Sequence, residues 1–318
     1  MQVTPLAAES MGVRSMATLV EAGGVRVLID PGATVAPQRN GLPPSPEERA
    51  ALDGANERII GALCQADAVV ATHYHDDHAN LVPYVLSSAA LYVKRPAGSG
   101  DRRFTVGLFP RLVHTRRSFT EMDASSATLR GLSFTFSPAF PHGKPGCRTG
   151  SVVAVTLRSD EGCFVFASDI QGPVTPEALA WLIDQRPDVV YVSGAPTYRT
   201  AFARDAEAGA WRPGDVRLAE SNLLALMEST GCRVIVDHYL ARDTHFRRAY
   251  AAVFATGRAQ TAAEFLGMPE RLLEAHRGYG GSQASMFPPH PDPIAGSWNR
   301  PADASGGSPS SLSLATAV

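Results

Sequence analysis

The chain is 318 residues long, 44% apolar and 19% charged, with a formal net charge of −2. That composition belongs to a globular protein with a substantial core, and the near-neutral charge leaves no footprint for nucleic acid or an anionic membrane surface. No apolar run approaches the ~18 residues of a membrane helix, so a spanning protein is excluded and a small-molecule partner is expected.

At the N-terminus, Met1 to Glu9 carries neither a basic segment nor a long apolar one, so no secretory signal is read and a cytoplasmic protein is expected. Cys64, Cys147, Cys163 and Cys232 lie far apart with no C-x-x-C pair, which argues for reduced thiols and against a zinc knuckle. Apolar, β-branched runs predict strands over Gln2–Leu6, Met16–Glu21, Val25–Ile29, Ala68–Thr72, Ala90–Lys94, Leu132–Ser137, Ser151–Leu157, Cys163–Ala167, Val189–Ser193 and Arg233–Val236. Helices are predicted over Ser45–Ala66, Pro83–Ser88, Thr175–Gln185, Val216–Thr230, Asp243–Thr256 and Thr261–Leu266. Ser45-Pro46-Glu47-Glu48 joins a capping residue, proline at the first helical position and early acids; Thr175-Pro176-Glu177 repeats that grammar, and Thr261-Ala262-Ala263-Glu264 fits a capping box. Paired strands, then a strand–helix unit, then a second set of strands and helices suit two sheets packed face to face with helices outside. Residues 1–280 read as one domain, and 281–318, rich in Pro, Ser, Gly and Ala without periodicity, as a disordered tail.

The hexapeptide His73-Tyr74-His75-Asp76-Asp77-His78 concentrates three imidazoles and two carboxylates directly after the buried strand Ala68–Thr72. Ligand groups would then stand at the carboxyl end of a strand, where open α/β sheets place their crevices. His73 and His75 can face one ion, and Asp77 and His78 a second; two ions need further ligands downstream. His142, Asp169 and His238 each follow an apolar strand, and a buried strand that ends in Asp or His is costly unless the group meets a partner.

These features resemble the metallo-β-lactamase fold superfamily, through the H-x-H-x-D-H turn, Asp30 in Leu28-Ile29-Asp30-Pro31-Gly32, and His142, Asp169 and His238 in order, over roughly residues 2 to 275. Glu9-Ser10-Met11-Gly12-Val13-Arg14-Ser15-Met16-Ala17-Thr18, Pro141-His142-Gly143-Lys144, Ser168-Asp169-Ile170-Gln171-Gly172-Pro173 and Asp237-His238-Tyr239-Leu240-Ala241-Arg242-Asp243 look like a largely archaeal subfamily without a settled substrate. The resemblance implies a four-layer αββα sandwich of mixed α/β class holding two divalent ions, zinc first and iron or manganese as alternatives. One ion would take His73, His75 and His142, the other Asp77, His78 and His238, with Asp169 bridging. Asp77, Asp169 and Asp30 are the catalytic carboxylates it implies, Asp30 by orienting the histidine turn. The implied reaction is hydrolysis of an ester, amide, lactone or small phosphodiester by a hydroxide shared between the ions, since zinc can lower the pKa of bound water to roughly 7. A di-iron oxidoreductase or oxygenase, or a phosphodiesterase or nuclease, are the alternatives on the same fold.

Arg14, Lys144, Arg148 and Arg242, with Tyr198, stand near the site loops and are the candidate substrate contacts, for an anionic small molecule gripped by guanidinium forks. Segments 95–128 and 196–213 read as irregular, substrate-shaping insertions. His114 and His245 are read as non-ligands, His276 and His290 as belonging to the tail region, and self-association as compatible with the chain.

Overall fold

The computed structural model describes residues 1–79, 88–96, 118–202 and 210–278. The first sheet is built from β1 (Gln2–Pro5), β2 (Thr18–Ala22), β3 (Val25–Ile29), β4 (Ala68–Ala71), β5 (Ala90–Val93) and β6 (Thr120–Glu121), in that spatial order. Its β1–β2 and β2–β3 pairs are antiparallel and the rest parallel. Along the chain follow β7 (Ser126–Leu129), β8 (Leu132–Phe136), the short ribbon of β9 (Phe140–Pro141) and β10 (Ser151–Val152), β11 (Val155–Ser159), β12 (Gly162–Ser168), β13 (Val189–Ser193), β14 (Arg233–Asp237) and β15 (Ala259–Gln260). All but the ribbon form the second sheet, ordered β15-β14-β13-β12-β11-β8-β7 and parallel from β12 to β15. Among the described residues the helices are α1 (Pro46–Leu63), α2 (Pro176–Asp184), α3 (Pro213–Thr230), α4 (Phe246–Ala249), α5 (Ala251–Ala255), α6 (Ala262–Phe265) and α7 (Leu273–His276).

The pleat decides the layers, because alternate side chains of a strand face opposite ways. In β12, Phe164 and Phe166 point into a core between the sheets, where they join Val27 and Val70 of the first sheet and Phe134, Phe136, Tyr191 and Ile235 of the second. Cys163 and Val165, on the opposite face, pack with Val190, Val192 and Val234 beneath Ala178 and Leu182 of α2 and Ala219 and Leu223 of α3. Val69, Leu28 and Leu91 turn outward in the same way beneath Ala51, Ala55 and Ile59 of α1. The result is the four-layer αββα sandwich, with apolar strands covered on both faces as parallel sheets require.

The capping box expected at Thr261 forms with Glu264, the expected cap at Ser45 also closes a box with Glu48, and Thr175 caps α2. Some boundaries are corrected. Ser151–Leu157 is two strands in different sheets, because the chain crosses over at Val153, whose N–H reaches Thr72, and Ala154, whose N–H reaches Ser137 Oγ. Asp243–Thr256 is broken at Tyr250, which has a non-helical φ of −120° and whose hydroxyl accepts from the Ala195 N–H. The segment 95–128 is not irregular throughout, since it holds β6 and the start of β7, and 196–213 holds a 3₁₀ turn at Thr197–Phe202. His276 lies in α7. The predicted Pro83–Ser88 helix, apart from its last residue, falls outside the described residues, as do His114, His290 and the tail 281–318. Among the described residues no helix is long and apolar enough to cross a membrane.

Candidate metal centre

The sandwich brings five loops together at the carboxyl ends of its strands. Asp30 follows β3, the hexapeptide follows β4, His142 follows β9, Asp169 follows β12 and His238 follows β14. Asp30, Ser168 and His238 have φ of 46°, 52° and 54°, a left-handed backbone that turns each strand end sharply aside. Gly32 lets the Asp30 loop lie against the hexapeptide; a Cβ there would stand 2.6 Å from the His78 backbone carbon.

Asp169 is the centre of the cluster. Its Oδ2 lies 2.9 Å from His142 Nε2, 3.3 Å from His78 Nε2 and 3.6 Å from His73 Nε2, and its Oδ1 lies 3.7 Å from His238 Nε2. His73 Nε2 stands 3.2 Å from His75 Nδ1, His78 Nε2 stands 3.3 Å from His238 Nε2, and His238 Nε2 stands 3.5 Å from Asp77 Oδ2. Donor atoms of His73, His75, His142 and Asp169 thus form one group within 4.8 Å, and those of Asp77, His78 and His238 another. The seven residues expected as ligands are all brought together. A third grouping, Asp30 with His73 and His78, meets the same distance limit, but there Asp30 faces the Nδ1 side of His78, away from Asp169.

The side chains fit a cation on their own account. His142 Nε2 and both Asp169 oxygens are buried yet make no hydrogen bond, despite their 2.9 Å approach. Buried polar atoms that converge without aligned donors are costly unless a positive charge joins them. The protonation states of three of the histidines agree with that reading. Burial first, and then the neighbouring imidazoles, push His73 well below the ordinary range and His75 to about 3. Burial and then Arg242 lower His238, so all three are neutral near pH 7, as metal ligands must be. Burial opposes ionisation of Asp169, but His78, His238 and His142 overcome it and hold its carboxyl well below the usual range. His78 goes the other way, because Asp169 and Asp30 outweigh its burial.

Behind the cluster, ring nitrogens that face away from Asp169 meet further polar groups. Asp30 Oδ2 lies 2.9 Å from His78 Nδ1, and the same carboxylate accepts from the Thr72 N–H at 2.7 Å and the Thr72 hydroxyl at 2.6 Å. Thr72 Oγ1 lies 3.2 Å from His73 Nδ1, the Gln171 carboxamide 3.2 Å from His142 Nδ1, and Glu9 Oε2 3.4 Å from His238 Nδ1. Glu9 and Gln171 were not among the expected site residues, although both sit in the subfamily motifs quoted above. Ser168 Oγ bonds the side chains of Thr72 at 2.7 Å and Asp30 at 3.2 Å.

The candidate substrate contacts are placed as follows. Arg14 is paired twice with Glu274 at 2.6 Å, and Lys144 with Asp215 at 2.6 Å at the start of α3. Arg242 is buried between Glu9 and Asp77, with Tyr239 beneath its guanidinium at 4.3 Å. Tyr198 lies under Arg39, 4.6 Å away, and Arg148 is exposed. Tyr74 donates to the Lys94 carbonyl, so it packs and braces instead of facing the cluster. His245 is exposed, and Cys147 is half-buried.

Comparison with known proteins bears on the family and the fold. The profile of the Metallo-beta-lactamase superfamily matches residues 11–171. The UPF0282 protein MK0213 of Methanopyrus kandleri is 35% identical over 294 residues, 87% of this chain and 98% of that protein. A UPF0282 protein of Thermococcus gammatolerans is 33% identical over 293 residues, covering 87% and 94%. Among solved structures, the isothiocyanate hydrolase from Delia radicum gut bacteria superposes with a TM-score of 0.52 at 16% identity, covering 82% of this chain and 96% of that one.

Proposed function

The chain belongs to the metallo-beta-lactamase superfamily, and within it to the UPF0282 family; from that premise we propose that it is a cytoplasmic hydrolase dependent on two divalent ions, zinc foremost, acting on an ester, amide, lactone or small phosphodiester. One observation carries this reading: six donor side chains, from both sheets and the β9–β10 ribbon, converge around an Asp169 whose oxygens are buried and make no hydrogen bond. His73, His75 and His142 would hold one ion, Asp77, His78 and His238 the other, and Asp169 would face both, Oδ2 toward the first group and Oδ1 toward His238. Ions bound there supply Lewis-acid activation of water and polarisation of the scissile bond.

The chain's own part is to aim and to screen. Asp30, Thr72, Gln171 and Glu9 fix the rings from behind, so that each Nε2 of His78, His73, His142 and His238 points inward. His73, His78, His142, His238 and Asp169 are closed to solvent, whereas His75 and Asp77 are half-buried and Asp76 is exposed. A small substrate would therefore approach over His75 and Asp77, with Tyr239 as one wall against the rings of His142 and His238. The test is elemental analysis of the purified protein for zinc, iron and manganese, alongside His75→Ala and Asp169→Ala. Stoichiometric metal in wild type, reduced in both variants, is expected; fewer than one transition-metal ion per chain in carefully handled wild type would end the proposal.

A further inference from the structure

Two tyrosines stand beside the centre, each with an arginine against its ring. The 3₁₀ turns Thr197–Phe202 and Leu240–Arg242 follow β13 and β14, which are parallel neighbours, so both lie at the strand ends that carry the ligands. The Thr197 hydroxyl donates to Asp243 Oδ2 at 2.6 Å and joins the two turns. Tyr239, just ahead of the second turn, has Arg242 against its ring at 4.3 Å, and Tyr198 has Arg39 at 4.6 Å. Tyr198 is within electrostatic reach of both Arg242 and Tyr239. Both tyrosines are half-buried, and among the described residues neither hydroxyl makes a hydrogen bond or is closed to solvent. The guanidiniums nearby are already engaged: Arg14 and Arg39 face Glu274, and Arg242 faces Glu9 and Asp77.

We propose that Tyr198 and Tyr239 are the substrate-binding pair of the centre: their hydroxyls donate to a carbonyl-type oxygen, of an amide or a carboxylate, on the part of the substrate beyond the scissile bond, and Arg39 is the positioning residue that holds Tyr198 in place. This rests on the hydrolase reading above and adds the recognised group that it leaves unnamed. The reason is hydrogen-bond supply. A phenol hydroxyl that reaches solvent and has no partner in the protein is free to donate, whereas the guanidiniums around it each face a carboxylate. Two such donors on adjoining turns suit an sp² oxygen, which has two lone pairs. Arg39 is suited to positioning because its contacts come from separate segments. Its Nη1 lies 3.8 Å from Glu274 Oε1 in α7, its Nη2 donates to the Arg242 carbonyl at 2.8 Å, and its guanidinium covers the Tyr198 ring. The loop that carries it is pinned from the C-terminal side, where Arg277 donates to the Ala36 and Leu42 carbonyls.

The experiment follows hydrolysis of two para-nitrophenyl esters by the zinc-loaded full-length protein. They are the esters of glutaramic and glutaric acid, alike but for a terminal amide or carboxylate. Wild type is expected to turn over at least one, and the ester with the lower KM names the acceptor. Tyr198→Phe and Tyr239→Phe should each raise that KM about 2–10-fold, as for one lost hydrogen bond, and leave kcat nearly unmoved. Arg39→Ala should raise KM in the wild-type background and add nothing in Tyr198→Phe, whereas a merely structural role would add in both. Zinc content and melting midpoints are measured for every variant. The products glutaramate and glutarate are also titrated by NMR, so a slow enzyme is still judged: affinity should fall by the same factor in each phenylalanine variant. KM and affinity unmoved in either variant, or no binding of either product by zinc-loaded wild type, overturns the inference and leaves the hydrolase reading standing. Wild type that takes up no zinc overturns both.

Discussion

Asp30 accepts hydrogen bonds from the Thr72 N–H, the Thr72 hydroxyl and the Ser168 hydroxyl, and faces His78 Nδ1, so one buried carboxylate joins both sheets behind the cluster. Asp30→Asn keeps its size but turns an amide donor toward those donors. Ion affinity should fall by about 10–100-fold, read by chelator competition, because the ring it faces is no longer fixed. Stability should fall by about 1–3 kcal/mol for the donors left unpaired. Asp30 was legible as a candidate only through the family resemblance, since a carboxylate after a strand and ahead of Pro-Gly reads equally well as a turn residue. Glu9 was not, since its contact with Arg242 spans 233 residues and no local spacing announces it. The hexapeptide was legible because its ligands are neighbours in sequence as well as in space.

Elements tie the described end of the chain back to its beginning. Arg277, just past α7, pairs with Glu48 at 2.5 Å and donates to the carbonyls of Ala36 and Leu42, while Glu48 also closes the capping box of α1. Arg277→Ala should cost about 3–5 kcal/mol in denaturant unfolding, as for a buried pair deprived of one partner. Within α7, burial opposes ionisation of Glu274, but its hydrogen bonds to Arg14 and the charge of Arg242 win and hold its carboxyl at about 2 against an ordinary 4.5. The folded form therefore binds the proton less readily than the unfolded chain. Its contribution is whole above pH 4.5 and is lost as pH falls toward 2. Melting midpoints of the zinc-free protein should drop across that window, and Glu274→Gln should flatten the drop. Glu9, raised by burial, titrates above 4.5 and does not mask it. Period-two and capping signals made most elements readable. The crossover after Val152 was not, because both halves of Ser151–Leu157 are apolar and buried, and a pattern of burial alone does not say in which sheet.

At the scale of the whole molecule, the candidate ligands are divided between layers. His73, His75, Asp77 and His78 hang from the first sheet, and Asp169 and His238 from the second. Ions held by both would act as a clasp across the central core. At a free concentration ~100 times the dissociation constant, such binding adds about 2.7 kcal/mol to stability, so a chelator should lower the melting temperature by several degrees in calorimetry. The αββα layering was legible from strand order, and the convergence of His142, Asp169 and His238 from their place at strand ends. The division of the cage between two sheets follows only from the packing. The left-handed backbone at Asp30, Ser168 and His238 carries a last consequence. A residue with a side chain costs about 1–2 kcal/mol in that conformation and glycine does not. At Asp30 and Ser168 the buried hydrogen bonds offset that cost, so a library sorted for metal uptake should keep the side chains at all three positions although glycine would fit the backbone with less strain. Positions where strain is retained in this way would outline the working face of the protein before any substrate is found.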